Sequence, residues 1–115
     1  DYSSISMSQN CLTDIYTNHN DQLGILFACL NELHIYNRSG RLQRKYTLDI
    51  KNPQKLVFVN QKWLALNSEG QAQHINGSVF DLSIENEAVL DSYLYQEILF
   101  ILTKTYIYIF DSTSF

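Results

Sequence analysis

The stretch HIYNRSGRLQRKYTL, residues 34–48, decides how the chain is read. An apolar segment ends at Ile35-Tyr36, breaks at Asn37-Arg38-Ser39-Gly40, and resumes as the charged, alternating segment Leu42, Arg44, Tyr46, Leu48. A period of two on both sides of a short polar break reads as strand, turn, strand. Asn and Ser side chains hydrogen-bond their own backbone in such breaks, and Gly supplies a positive φ. Fainter copies follow at HINGS, 74–78, and YIFDSTS, 108–114.

Outward from this stretch the spacing remains that of strands. Leu23 to Leu30 is nearly continuous and apolar, which suits a strand covered on both faces. Further strands are expected at Leu12–Tyr16, Leu33–Tyr36, Arg41–Leu48, Lys55–Val59, Trp63–Leu66, Gln71–Ile75, Val79–Ser83, Val89–Tyr95, Ile98–Leu102 and Tyr106–Phe110. Turn signals separate them at Asn18-His19-Asn20-Asp21, Ser39-Gly40, Asn52-Pro53, Ser68-Glu69-Gly70, Asn76-Gly77 and Asp111-Ser112-Thr113. Only Ile84 to Tyr95 can be written as a helix, and its charges crowd at Glu85, Asn86 and Glu87 as in a loop, so little or no helix is expected.

Three segments, beginning at Ile25, Trp63 and Ile98, share one plan: apolar strand, short polar turn, and a second strand ending at Ile35, Ile75 and Ile109. These isoleucines lie 40 and 34 residues apart, a period that marks a repeat architecture. Four strands fit one period, and repeated four-stranded meanders of this length resemble blades of a β-propeller. The resemblance covers most of the chain and is best at residues 34–48. It departs from the WD type, with no Trp-Asp dipeptide and no Gly-His pair. It implies an all-β fold of antiparallel four-stranded meanders, with units at about 11–50, 54–84 and 89–115 inside one partial propeller domain, 1–115. Two and a half blades cannot close a ring of at least about four. Closure is expected from missing sequence, with further copies or a partner as the other sources, and the outer faces at Leu23–Leu30 and Ile98–Leu102 are expected to be apolar.

Composition limits the partners. The 115 residues carry 8 basic and 12 acidic side chains, a net charge of −4, and the local basic run Arg38, Arg41, Arg44, Lys45 reads as a solvated strand edge. Nucleic acid, which demands a basic face, is not expected. No apolar stretch approaches the roughly 18 residues of a membrane span. Asn37-Arg-Ser39 and Asn76-Gly-Ser78 match the glycosylation pattern and are read as turn chemistry. Cys29, within GILFACL, is expected as a buried free thiol, with a single disulfide to Cys11 as the alternative.

Nothing in the chain assembles a catalytic or metal-binding motif. His34 and His74 precede Ile35 and Ile75 and are expected at equivalent blade positions, one blade apart, while His19 lies in a turn; joint coordination of one ion is disfavoured. Asp81, Glu85, Glu87, Asp91 and Glu97 have no spacing that fixes two carboxylates on one site. No cofactor is expected. Trp63, Tyr93, Tyr95, Tyr106 and Tyr108 are the candidate binding residues, with packing between blades as their other use. The resemblance implies a non-catalytic protein–protein interaction scaffold, partnered by other subunits or by the remainder of a longer chain. The alternative is a small lectin-like module that closes its propeller by homo-oligomerisation.

Overall fold

A computed structural model describes residues 4–5, 11–84 and 87–111. It contains eleven strands and, among the described residues, no helix: β1 (Leu12–Thr17), β2 (Leu23–Phe27), β3 (Glu32–Tyr36), β4 (Leu42–Thr47), β5 (Lys55–Val59), β6 (Lys62–Leu66), β7 (Gln71–His74), β8 (Val79–Asp81), β9 (Asp91–Tyr95), β10 (Ile98–Leu102) and β11 (Ile107–Asp111). They form three antiparallel meanders in chain order, β1 to β4, β5 to β8 and β9 to β11. The sheets stack, and their first strands β1, β5 and β9 lie next to one another along the inner edge. Convergence of first strands with divergence of last strands is blade geometry. The fold is all-β, as the alternating pattern implies. Of the helical alternative, 91–95 is strand, while 85 and 86 lie outside the described residues.

Two apolar layers hold the stack. Leu26, Leu33 and Ile35 of the first sheet meet Leu56, Phe58, Trp63 and Ala65 of the second. Val57, Val59, Leu64, Leu66 and Ala72, on the second sheet's opposite face, meet Leu99 and Ile101 of the third, with Leu94, Tyr108 and Phe110 at the margin. The first layer leaves no room at Gly24: a Cβ there would come within 2.7 Å of the Trp63 ring and 2.8 Å of Leu56 Cδ2. A side chain is therefore excluded at Gly24 by its neighbours, and the large indole takes the space instead.

One turn recurs three times. Asn18, Asn37 and Asn67 each accept, through Oδ1, the backbone N–H groups two and four residues on, at 3.0–3.1 Å. Asp21, Gly40 and Gly70 then take positive φ values of 58°, 84° and 79°. This side-chain mimicry of a backbone turn is the chemistry read from the NRSG break, and it uses the Asn37 side chain of the first glycosylation-like triplet. The device is also present at Asn18, within the Asn18–Asp21 turn signal, and at Asn67, one residue before the signal read at Ser68-Glu69-Gly70. Residues 112–113 of the third copy lie outside the described residues.

The repeat itself is phased differently from the sequence alignment. Cross-strand registers define two rungs on the face that each sheet turns toward its successor. They are Asp14–Leu26–Leu33 and Tyr16–Gly24–Ile35 in the first sheet, and Lys55–Leu66–Ala72 and Val57–Leu64–His74 in the second. The third has Asp91–Leu102–Ile107 and Tyr93–Phe100–Ile109. His74, not Ile75, is therefore the counterpart of Ile35 and Ile109. His34 points the other way, its ring 4.5 Å from that of Phe27, so the expected equivalence of His34 and His74 does not hold. The number of residues between rung partners accounts for this: 27–32, 67–71 and 103–106 separate them, one residue fewer in each successive sheet, although the connections between strands are four residues long in all three.

Cys29 corrects a second expectation. The apolar run ends its strand at Phe27, residues 28–31 turn with Asn31 at φ 51°, and Cys29 is exposed in that turn rather than buried in a strand. Pairing of Leu12 with Phe27, continued by the Ala28 N–H to the Cys11 carbonyl at 3.1 Å, brings the two cysteines together as a disulfide. Beside it, Ile5, Cys11 and Leu30 lie over Ile25, Phe27 and Tyr36 on the first sheet's far face.

Candidate interaction surface

The five aromatic candidates are not brought to one place. Trp63 is 6% exposed and fills the layer between the first and second sheets, its ring edge-on to Phe58 at 5.0 Å and to Tyr16 at 6.3 Å. Tyr108 lies on the third sheet's inner face, against the second layer, with the Tyr106 ring 5.8 Å from its own. Tyr93 and Tyr95 project from the opposite, outer face of the third sheet, Tyr93 with 64% of its surface exposed.

That outer face is the most conspicuous surface of the molecule. Tyr93, Phe100 and Ile109 form one rung across three strands, and Leu102 and Ile107 extend the next. Ile107 and Ile109 are 63% and 67% exposed, and Tyr95 and Leu102 are exposed beside them. Alternation explains why they share a face: in a strand every second side chain projects to the same side. A shallow cavity of about 290 Å³ opens between Tyr93, Phe100, Leu102 and Ile107, with Asp91 and Ser92 at its rim. Apolar surface gathered in this way is what monomeric soluble proteins ordinarily avoid.

Polar groups near this sheet fasten it to the second. Lys55 Nζ lies 2.9 Å from Asp91 Oδ1, and this contact, with the Ser92 N–H, holds the Asp91 carboxyl below its usual pKa. Glu97 accepts the Asn60 N–H at 2.7 Å. Glu87 accepts the Thr105 N–H at 3.0 Å and is likewise lowered by hydrogen bonds from the Thr105 and Thr103 hydroxyls. Asp81 caps the Ser83 N–H at 2.7 Å, while Glu85 lies outside the described residues. Of the carboxylates singled out from sequence, Asp81, Glu87, Asp91 and Glu97 are thus engaged locally, not gathered as a pair. Among the described residues no three His, Cys, Asp or Glu side chains gather as a metal-holding group. Burial, and then Lys62, push the His74 pKa down, keeping neutral an imidazole stacked on Phe80 at 5.9 Å. Burial, and then Glu97, push the Tyr16 hydroxyl up. Among the described residues no helix is long and apolar enough to cross a membrane.

Stacked antiparallel meanders of four, four and three strands with converging first strands define a β-propeller-like fold. Solved structures agree. The chain is similar to streptogramin B lyase (TM-score 0.64, 12% identity, covering 93% of this chain and 42% of that one). It is also similar to virginiamycin B lyase from Staphylococcus aureus (0.63, 12%, 93% and 44%) and to a protein of unknown function from Bacteroides caccae (0.60, 15%, 79% and 38%). At these identities the likeness concerns fold alone. The chain spans less than half the length of each of these structures. No family model and no curated protein sequence matches it.

Proposed function

We propose that the chain is a non-catalytic protein–protein interaction scaffold, the propeller portion of a larger multi-subunit assembly. The observation that carries this reading is the bare outer face of the third sheet, where Tyr93, Leu102, Ile107 and Ile109 present apolar surface to water. Covering it would recover roughly 25 cal/mol for each Å² removed from solvent, a favourable term for association. The lyase activity named for two structural neighbours is not carried over, because one fold hosts many chemistries and 12% identity transmits none of them. The lectin-like alternative has less support: Trp63 is enclosed between sheets, and the first sheet's far face, needed for head-to-tail closure by copies, is already overlaid by Ile5 and Cys11.

Light scattering after size exclusion, with circular dichroism and an apolar dye, tests the reading on the 115-residue chain. The scaffold reading expects a β-rich spectrum, dye binding, and association that rises with concentration and is relieved by I107K/I109K. A monodisperse monomer that binds no dye would sink it.

A further inference from the structure

The three Asn turns differ in one atom. Asn18, Asn37 and Asn67 all use Oδ1 to hold the backbone, and on that side the turns are alike. Their amide nitrogens are not. Asn18 Nδ2 donates to Gln22 Oε1 at 2.9 Å, and Asn67 Nδ2 donates to Gln71 Oε1 at 2.9 Å and to the Lys51 carbonyl at 3.0 Å. The fourth residue after Asn37 is Arg41, where the other two turns have Gln. A guanidinium carries donors only. The acceptor that fixes the other two amides is therefore missing, and Asn37 Nδ2 has none among the described residues. Of the three, Asn37 alone is followed by the glycosylation acceptor pattern, with Ser39 two residues on.

The surroundings of that nitrogen are shaped. Pairing of Leu23 with Tyr36 sets the Asn18 and Asn37 turns side by side at one end of the first sheet. A cavity of about 380 Å³ opens between them, apolar at Ile5 and Leu23 and polar at Asp21, Gln22 and Arg38. That volume suits a small-molecule site. A pyranose is divided in the same way, with C–H faces and an acetamido methyl on one side of its chemistry and hydroxyls on the other. Asp21 offers acceptors and Arg38 donors, 3.8 Å apart and both exposed. The Cys11–Cys29 disulfide, in the same sheet, is an independent pointer. Structural disulfides persist in oxidising compartments, the setting in which the acceptor pattern is used.

We infer that Asn37 carries an N-linked glycan whose first sugar, an N-acetylhexosamine, lies in the cavity between the Asn18 and Asn37 turns. Turn chemistry and modification use different atoms of one side chain. Nδ2 gives up a proton and bonds to C1 of the sugar. The C1–O bond to a lipid diphosphate-linked oligosaccharide breaks, and the diphosphate leaves with the electron pair. Oδ1 remains an acceptor, so the N–H groups of Ser39 and Arg41 keep their bonds at 3.0 Å. The second sheet stands between this site and the open face of the third, so the glycan and the scaffold reading stand or fall separately.

The test is peptide mass spectrometry of the full protein from cells that express its gene, treated with a peptide N-glycosidase in heavy-oxygen water. The enzyme converts a glycosylated Asn to Asp bearing heavy oxygen, and that mark is expected at Asn37. S39A should abolish it while leaving both backbone bonds to Oδ1, and S39T, which restores the pattern, should retain it. With the cavity filled, amide exchange across residues 18–23 should be about threefold slower in the glycosylated protein than in S39A. An unmarked Asn37, a mark confined to Asn76 of the second triplet, or a mark that survives S39A overturns the inference. Equal exchange beside a marked Asn37 overturns the sugar's place in the cavity.

Discussion

The first and third sheets are built on one pattern and end the stack differently. The first sheet's far face carries Ile25, Phe27 and Tyr36, and these are buried because Ile5, Cys11 and Leu30 lie over them beside the Cys11–Cys29 disulfide. The third sheet's outer face carries Tyr93, Leu102, Ile107 and Ile109, and these meet solvent. Apolar alternation therefore does not by itself say whether a face is closed. The stack has a direction, finished at one end by a local cover and a covalent tie, and at the other left in the form of an interface between sheets.

The sharpest way to test the contrast is to open a closed layer. W63A removes the indole that fills the space above Gly24 and should cost about 3–5 kcal/mol, read as a lower urea midpoint. If the first and second sheets do not depend on each other, the loss will be far smaller. The next largest effect concerns the covered end. C11S breaks the only cross-link among the described residues, which spans 18 residues of sequence, and should cost about 2–4 kcal/mol. It should also increase amide exchange in Leu23–Phe27, making that end resemble the other.

Acid provides a smaller, graded probe of the layer between the second and third sheets. Burial depresses the folded-state pKa of His74 below its ordinary value of about 6.5. The unfolded chain then binds the proton first, so the stabilising term is complete above pH 6.5 and is lost as pH falls from there toward the folded pKa. H74Q should flatten this part of a pH–stability profile; an unchanged slope would mean His74 is not its source. K55A should cost about 0–1 kcal/mol, because the pair with Asp91 is partly exposed and screened. The smallest effect is expected at the open end: I109K should leave the chain's stability within about 0.5 kcal/mol, while lowering dye binding. A large loss there would show that the face is closed in solution and break the contrast.

Much of this architecture is legible in the sequence, because period-two alternation places Val57, Val59, Leu64 and Leu66 on one face whatever surrounds them. The Asn37 turn is legible for the same local reason, since an Asn that hydrogen-bonds its own backbone needs no distant partner. What failed to show depends on a strand's end or on its neighbours. Cys29 reads as strand because the apolar run continues to Leu30, whereas the chain turns after Phe27. Trp63 reads as a binding residue or a packing one, and the sequence does not decide between them because the glycine that makes room for it, Gly24, lies far away along the chain. The open face is legible in Ile98–Leu102, but its closed counterpart at Leu23–Leu30 depends on Ile5 and Cys11, which no spacing rule ties to it.

The shortening spans between rung partners, 27–32, then 67–71, then 103–106, bear on how such a chain can change over generations. A residue gained or lost inside a strand turns every following side chain to the wrong side. One lost at a bend leaves both faces of both strands where they were, so selection on packing tolerates it. Units descended from one ancestor can then drift out of phase by a residue at each bend while their sheets remain superimposable. Kinship of this kind survives in the rungs across the strands and fades along the chain, so copies are better compared by what sits opposite than by what comes next.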